Sequence, residues 1–284
     1  MRSTWFSFGV RRLARIYPGY WVQLLAVGLV FAPLAVLLGS GRWSVSAAAD
    51  YVITNASTFE LIWVMEGSVF PHYDAWNGSM WTLSYELTAY LVCGLLVAVK
   101  WVRKHFVAVA AVGFIGTMLF LLTAEPLLDV TTNHYLRLAR LGSYFCVGML
   151  AYALRDRLRF GPGPVALAGV LAAVLYAVPW GGEHAAQVPL MVLLLGLGVL
   201  LPIRFGSRND LSYGYYLYAF PIQQLVAIAL GGDRGSWWAH MMIAAVLTAG
   251  AAAFSWFLVE RPAIRGARSF VMWVRGRWWL PIPA

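Results

Sequence analysis

Eight long apolar stretches recur along this 284-residue chain, and they restrict its fold more than any other feature. Each is 17 to 22 residues long, which is the length that a helix needs to cross the hydrocarbon core of a bilayer. Hydrophobic residues make up 61% of the chain and charged residues only 12%, so too little polar surface remains to cover a soluble globular domain. We therefore predict an all-α, polytopic integral membrane protein with eight transmembrane helices in a single domain, residues 1–284. The predicted spans lie near residues 20–38, 79–99, 106–124, 137–154, 164–180, 187–203, 211–230 and 237–258.

The basic residues predict how these spans are oriented. The chain has 21 lysines and arginines against 12 acidic residues, and the basic ones fall in short clusters between the apolar stretches. With the N-terminus in the cytoplasm, 17 of the 21 lie on the cytoplasmic side, as the positive-inside rule requires. Both termini are then cytoplasmic, and we expect a multi-pass protein of the inner (plasma) membrane. Because such clusters are typical of topology signals, no nucleic-acid partner is expected.

Two regions fall outside the predicted spans. Residues 45–70 are partly apolar but contain Asp50, Glu60 and Glu66, and counting them as a span would move the later basic clusters outside. We interpret them as an interfacial or re-entrant segment on the outer face. Residues 259–284 combine arginines with tryptophans, which is typical of a basic aromatic tail anchored at the membrane surface.

An acidic residue inside the second predicted span marks a candidate site. The stretch 76–91, WNGSMWTLSYELTAYL, opens with Asn-Gly-Ser, which supplies helix-capping groups, and places Glu86 in an apolar run. At 1.5 Å per residue Glu86 lies roughly 10 Å below the surface, where an ionised carboxylate costs on the order of a few kcal/mol unless it is paired or hydrated. Ser79, Thr82 and Tyr90 share its helix face, so this polar stripe is predicted to face the protein or a water-filled cavity. It indicates either a functional site or a structural contact with a neighbouring helix.

Three further segments carry polar groups at the ends of predicted spans. Segment 8–21, FGVRRLARIYPGYW, places Arg11 and Arg15 on one helix face, where two guanidinium groups can hold a diphosphate, although a topology anchor is the simpler interpretation. Segment 211–221, LSYGYYLYAFP, has four tyrosines that either bond polar substrate atoms or form an interfacial aromatic belt. The sequence Val-Glu-Arg-Pro at 259–262 is interpreted as a simple helix terminus ended by proline.

Together these segments resemble the acyltransferase-3 family of integral membrane acyltransferases. Members commonly show an FxxRRxxRIxPxYW-like segment, a W-S/T-L-S-x-E segment, an LSYxxYLxHxP-like segment and a closing E-R/K-P, and the order and spacing fit over nearly all of residues 6–265. The resemblance implies transfer of an acyl group, often acetyl from acetyl-CoA, to hydroxyls of a cell-envelope glycan, a glycolipid or a similar acceptor. The expected partners are then acyl-CoA as the donor substrate, a glycan or glycolipid acceptor, and membrane lipid.

The same resemblance implies roles for individual residues. The residues that would meet the phosphates of CoA at the cytoplasmic face are Arg11, Arg12 and Arg15. The candidate catalytic residues are Glu86 and Ser84. The candidate substrate-binding residues are Trp81, Tyr213 and Tyr216. Cys93 and Cys146 lie in predicted spans without metal-ligand spacing, so neither a metal nor a permanently bound cofactor is expected.

Two features of the family pattern are missing from this sequence. Members usually have ten spans, the first of which carries an arginine and a histidine taken as the catalytic pair, whereas this sequence starts at the third. Where many relatives have a histidine in the tyrosine-rich segment, this chain has Ala219, and none of its five histidines is an obvious substitute, although His72 lies close before the Glu86 segment. We expect the DNA upstream to encode the two missing spans, and we expect the 284 residues to show little or no acyl transfer without them. The alternative function is a non-catalytic polytopic carrier, or a degenerate relative that binds lipid or glycan.

Overall fold

The first and last parts of the chain form one compact unit, and its middle forms another. The computed structural model of the protein describes residues 5–59, 61–124, 133–179, 181–202, 209–232 and 236–278. Met1–Leu87 and Phe205–Ala284 make up the first unit, and Thr88–Arg204 make up the second. Predictions that concern Glu60, the ends of two spans at residues 180 and 203, and tail residues 279–284 lie outside the described residues.

All regular secondary structure in the described ranges is helical, and a helix coincides with every predicted span. The first seven helices are α1 Trp5–Ala26, α2 Ala32–Leu37, α3 Val45–Thr54, α4 Trp81–Ala98, α5 Lys100–Lys104, α6 Phe106–Thr123 and α7 Asn133–Ala153. The remaining six are α8 Pro162–Ala177, α9 Gly181–His184, α10 Gln187–Leu200, α11 Ser212–Ala229, α12 Trp237–Ser255 and α13 Arg261–Trp278.

Four helical stretches within these ranges are long and apolar enough to cross a membrane. Length and composition support this assignment, and the all-helical class predicted from the sequence is confirmed. The total of eight spans and the location of the termini remain predictions. The four stretches are Phe6–Leu37, Trp81–Ala98, Phe106–Thr123 and Trp237–Val274.

The first helical stretch begins earlier than the apolar pattern predicted. Helix α1 starts at Trp5 rather than near residue 20, and one π-helical turn, Val27–Phe31, joins it to α2. The arginine segment is therefore part of the helix. The reason is that arginine, leucine and alanine are all good helix formers, so charge limits where a span can enter lipid but does not end the helix.

Helix α11 lies at the centre of the first unit. It packs against α12, α1 and α2, and most of its residues from Leu217 to Ile228 are buried. In the second unit, α6 packs against α7, and α8 packs against α10. The first unit therefore holds the arginine, tyrosine-rich and Glu-Arg-Pro segments, together with the start of α4 up to Leu87.

The chain between α3 and α4 has an irregular backbone that is held by side-chain hydrogen bonds. Helix α3 has ten residues, which is too short to cross a bilayer. The buried amide of Asn55 donates to the carbonyls of Tyr51 (2.9 Å) and Ile62 (3.1 Å) and accepts from the Ile62 N–H (2.9 Å). The indole of Trp76, which is 1% exposed, donates to Ser68 Oγ at 2.7 Å. These bonds anchor the chain just before α4.

The last helix lies against the first. Ala267 and Val271 of α13 are buried, and the ring of Phe270 lies 6.1 Å from that of Phe6 in α1. Trp273 is 55% exposed. One face of α13 is therefore packed against protein while another is open, and the membrane-surface anchor predicted for this tail stays a prediction.

Candidate active site

The arginine segment contacts the start of the tyrosine-rich helix. Arg15 of α1 forms an ion pair with Asp210, which lies just before α11, and both side chains are about one-third exposed. The guanidinium of Arg12 lies over the ring of Phe8, 5.3 Å from its centroid, and Arg11 is exposed. The three arginines predicted to meet CoA therefore have different surroundings, and one of them already faces a carboxylate.

Asp210 is held by both the ion pair and the helix start. Its Oδ1 accepts hydrogen bonds from the Ser212 N–H (3.3 Å) and the Ser212 hydroxyl (2.5 Å). Burial alone would raise the pKa of the Asp210 carboxyl, but hydrogen bonds from Ser212 and Arg15 and the charge of Arg15 outweigh burial and lower that pKa. The carboxylate is thus stabilised in its ionised form, as an ion-pair partner of Arg15 requires.

The tyrosines of α11 face different neighbours. Tyr213 donates from its hydroxyl to the carbonyl of Ile16 in α1 at 2.8 Å. The Tyr216 hydroxyl bonds to Thr82 Oγ1 at 2.7 Å and to the carbonyl of Ser79, both at the start of α4. Tyr213 and Tyr216 thus join α11 to two other motif segments. This geometry is more specific than an aromatic belt at a membrane surface would require.

The polar stripe predicted to face the protein or a water-filled cavity begins in contact with α11. Ser79 and Thr82 both bond Tyr216, and the side-chain amide of Asn77 donates to the carbonyl of Leu217 at 2.9 Å. Glu86 is half-buried on the next turn, and its carboxylate interacts electrostatically with Tyr213 and Tyr216. A carboxylate and two phenol groups therefore line the same part of the first unit.

Trp81 and Ser84, the other candidates in this segment, are both half-buried on α4. The Ser84 hydroxyl donates to the Trp81 carbonyl at 2.9 Å, one helical turn earlier. The Trp81 ring meets the Tyr85 ring edge-on, with 5.6 Å between centroids. A serine whose proton is directed at a backbone carbonyl presents its oxygen lone pairs, so Ser84 is better suited to accept a hydrogen bond than to donate one.

The helix start in this segment differs from the prediction by one detail. Helix α4 begins at Trp81 rather than at residue 79. Asn77 Oδ1 accepts from the Ser79 N–H (3.2 Å) and the Ser79 hydroxyl (2.7 Å), so it forms a local turn before the helix. Asn77 therefore forms a turn ahead of the helix instead of capping it as predicted, and the Ser79 carbonyl accepts from Tyr216.

The interpretation of Glu260 as part of a simple helix terminus is wrong. Glu260 is 2% exposed, accepts a hydrogen bond from the Ser255 hydroxyl at 2.7 Å, and interacts electrostatically with Arg15 and Tyr213. The chain continues through a π-helical turn, Trp256–Glu260, into α13. A π turn already breaks the regular hydrogen-bond register, so the missing N–H of Pro262 in the following first turn costs little and the helix does not end there.

Asp210 and Ser255 belong to this cluster but were not singled out from the sequence, whereas Glu260 was noted only as part of the closing Glu-Arg-Pro segment. The signal for Asp210 was its position two residues before Ser212 at a helix start, where such pairs are typical. The signal for Glu260 was the same as for Glu86, an acid beside a long apolar run. His72 lies exposed in the chain between α3 and α4. In the described part of the chain, no group of three or more His, Cys, Asp or Glu side chains is placed to hold a metal ion.

Comparisons with known proteins agree with the resemblance seen in the motifs. The family model described as an acyltransferase domain matches residues 1–260. The chain is 29% identical to nodulation protein 10 of Rhizobium leguminosarum bv. viciae, over 93% of this chain and 77% of that protein. It is 28% identical to an O-acetyl transferase of Shigella phage Sf6, over 65% of this chain and 56% of that protein. No solved structure matches the chain. With a family match over most of its length, its four motif segments and its long apolar helices, the chain belongs to the acyltransferase-3 family and is a membrane acyltransferase.

Proposed function

We propose that this protein transfers acetyl from acetyl-CoA to a hydroxyl group of a cell-envelope glycan or glycolipid. The observation that carries the proposal is the meeting of four separate motif segments in the first unit. Tyr213 bonds the arginine helix, Tyr216 bonds the start of α4, and Glu260 interacts electrostatically with Tyr213 and Arg15. Segments that lie more than 130 positions apart, such as Tyr216 and Thr82, meet through polar groups, which suits a site that must hold a polar acceptor.

Glu86 is the group that we assign as general base. The acceptor hydroxyl attacks the thioester carbonyl of acetyl-CoA, and Glu86 takes the hydroxyl proton. The new ester C–O bond forms as the C–S bond breaks, and the CoA thiolate leaves and is protonated. Tyr213 and Tyr216 lie within electrostatic range of Glu86, and their protons are directed at the Ile16 and Ser79 carbonyls, so their oxygens can orient the acceptor by accepting hydrogen bonds from its hydroxyls.

Trp81 and Ser84 complete the acceptor side in this proposal. Trp81 supplies an apolar ring on the same helix as Glu86, and aromatic rings commonly pack against ligands. The Ser84 oxygen, with its proton directed at the Trp81 carbonyl, accepts a hydrogen bond from the acceptor rather than acting as a nucleophile. The acyl group therefore passes directly from CoA to the acceptor.

The arginine segment is assigned to the donor. We assign Arg11 and Arg12 to the diphosphate of CoA arriving from the cytoplasm; in support, Arg11 is exposed and Arg12 is half-buried on the same helix. Arg15 belongs to the same set, and Asp210 fixes the direction of its guanidinium. This assignment goes with the proposed topology of eight spans, cytoplasmic termini and an inner-membrane location.

An assay with labelled donor tests this function. Two membrane samples, which contain the chain expressed with and without the upstream coding region, receive acetyl-CoA carrying a radiolabelled acetyl group and envelope glycan that has been de-O-acetylated with mild alkali. We expect label to enter the glycan fraction and to be released again by mild alkali, as an ester must be. Matched membranes without the chain give the background, and label at that background in both samples would refute the proposal.

A further inference from the structure

A polar cleft of about 710 Å³ lies beside the loop that follows α2, on the first unit. We propose that it binds the neutral sugar portion of the acceptor, and this inference rests on the proposed function. Ligand pockets commonly measure roughly 300–1,000 Å³, so the cleft has room for a ligand of oligosaccharide size. The side chains that would contact the sugar are Arg42, Trp43, Ser44, Ser46, Glu66 and Ser68.

The chemistry of the lining favours a neutral, hydroxyl-rich ligand. Arg42 and Glu66 are both exposed and carry opposite charges, so the cleft has no net attraction for an anion such as a phosphate. The Arg42 guanidinium donates several hydrogen bonds and the Glu66 carboxylate accepts them. The three serines of the lining can do both. Trp43 adds an aromatic ring. Sugar hydroxyls need this mixture of donors and acceptors next to an apolar surface.

The wall of the cleft is rigid. Gly41 and Gly67 lie at φ +74° and +84°, in the left-handed region that favours glycine, and the Arg42 N–H donates to the Gly67 carbonyl at 2.7 Å. A Cβ on Gly41 would lie only 2.4 Å from the Gly67 oxygen, and a Cβ on Gly67 only 2.7 Å from the Arg42 oxygen. The two loops are thus held together before any ligand arrives, which lowers the entropic cost of binding.

Two hydrogen bonds hold the cleft against segments that continue into the candidate active site. The Trp43 indole donates at 2.7 Å to the carbonyl of Gly28, inside the π-helical turn between α1 and α2. Ser68 accepts at 2.7 Å from the indole of Trp76, a buried residue of the segment that leads into α4. The cleft is therefore fixed both to the helix of the arginines and to the chain that carries Glu86.

The cleft lies at the opposite end of the first helical stretch from the arginines. From Arg15 to Leu37 a continuous helix rises about 33 Å at 1.5 Å per residue, close to the roughly 30 Å of a bilayer core. Gly41 and Arg42 follow shortly after Leu37. If the arginines meet CoA in the cytoplasm, the cleft opens on the outer side, where an envelope glycan would be found.

Direct binding measurements separate this inference from the proposed reaction. The probe is the de-O-acetylated neutral polysaccharide of the organism's own envelope, fluorescently labelled at its reducing end, and binding to the detergent-solubilised full chain is measured by anisotropy. We expect Arg42→Ala and Glu66→Ala each to weaken binding by roughly tenfold or more, because each removes hydrogen bonds to a charged group. The matched controls are Arg265→Ala and Asp74→Ala, exposed residues of like charge outside the cleft.

The possible results separate the sugar cleft from the proposed reaction. Unchanged binding in Arg42→Ala and Glu66→Ala, no binding by the unaltered chain, or equal binding of dextran sulfate would overturn the sugar cleft. Binding that is weakened only in the two cleft variants supports it. If that binding is seen but no acetyl transfer occurs in the membrane assay, the sugar cleft stands and the proposed reaction fails.

Discussion

The Tyr216 hydroxyl joins two segments that are distant in the sequence. It bonds both Thr82 Oγ1 and the Ser79 carbonyl, so it fixes the start of α4 against α11. A phenol at this position positions the helix that carries Glu86, and it also lies within electrostatic range of the Glu86 carboxylate. One side chain therefore links packing to the proposed chemistry.

The variant Tyr216→Phe tests this link. It keeps the ring but removes the hydroxyl that bonds the Ser79 carbonyl and Thr82, so we expect acetyl transfer to fall by roughly tenfold, the effect of losing about 1.4 kcal/mol. The adjacent Tyr215 has an exposed ring, and Tyr215→Phe is the control with unchanged rate. Equal rates in the two variants would show that the Tyr216 hydroxyl has no role in the reaction.

The ion pair of Arg15 and Asp210 predicts a pH dependence of stability. Because folding lowers the pKa of the Asp210 carboxyl, the pair stabilises the folded state above the ordinary carboxyl pKa of 3.8, and this stabilisation is lost as pH falls through the lowered value. Both side chains are about one-third exposed, so the effect is at most about 1 kcal/mol. Unfolding of the detergent-solubilised protein between pH 7 and pH 3 should show this loss in the unaltered chain but not in Asp210→Asn. An identical acid dependence in both proteins would contradict the pair's contribution.

The sequence alone makes Glu86 a candidate site residue, whereas its pattern around Glu260 led to a wrong interpretation. An acid in the middle of an apolar run stands out from composition alone. Glu260 lies at the end of such a run, beside an arginine and a proline, and that pattern also fits a plain helix end. Only the continuation through Trp256–Glu260 into α13 shows that its side chain is directed into the protein. The pairing of Arg15 with Asp210 likewise depends on tertiary contact between residues 195 positions apart.

At the scale of elements, the contact of α11 with α12 leaves no room for a side chain at Gly214. A Cβ there would lie 3.0 Å from the Ala252 Cα and 3.1 Å from the Ala252 carbonyl oxygen, both backbone atoms. Backbone atoms cannot move aside as a flexible side chain can. The close approach of these two helices therefore depends on glycine, and it brings Ser255 and Glu260 next to the tyrosines of α11.

The variant Gly214→Ala should destabilise the protein by about 1–3 kcal/mol, the usual cost of overpacking a core. The midpoint of unfolding by denaturing detergent measures this change. Gly250→Ala in α12 is the control, because a Cβ there meets nothing within 4 Å, and alanine favours a helix over glycine. If Gly214→Ala were as stable as Gly250→Ala, the two helices would not be as close as described.

The existence of the helices could be predicted, but their ends could not. Apolar length predicts a helix at each of the eight stretches, because lipid leaves the backbone no other partners. Helix α1 starts at Trp5, well before the predicted span, and the last helix passes Pro262, where the sequence predicted an end. An arginine cluster limits the span in the first case and a proline in the second. Neither stops the hydrogen bonding of the helix backbone, so both helices continue.

For the molecule as a whole, the distribution of charge predicts the sidedness of every loop. Reporter domains fused after Lys104 or Arg159 should be active in the cytoplasm, because both positions follow basic clusters. Reporters inserted near Gly182 or Gly232 should be active outside. Reversed signals at Arg159 and Gly182 would overturn the topology of eight spans with cytoplasmic termini, and with it the placement of the sugar cleft on the outer side.

The central claim is that Glu86 is the base of an acetyl transfer reaction. The most direct measurement is the rate of label transfer from acetyl-CoA to de-O-acetylated envelope glycan in membranes that contain the Glu86→Gln variant. Glutamine keeps the size of the side chain but cannot take the proton, so we expect the rate to fall by roughly 100-fold or more, with acetyl-CoA binding unchanged. The control Asp74→Asn, which removes the same charge from an exposed site, should transfer at the rate of the unaltered chain. A Glu86→Gln variant that transfers acetyl as fast as Asp74→Asn would contradict the claim.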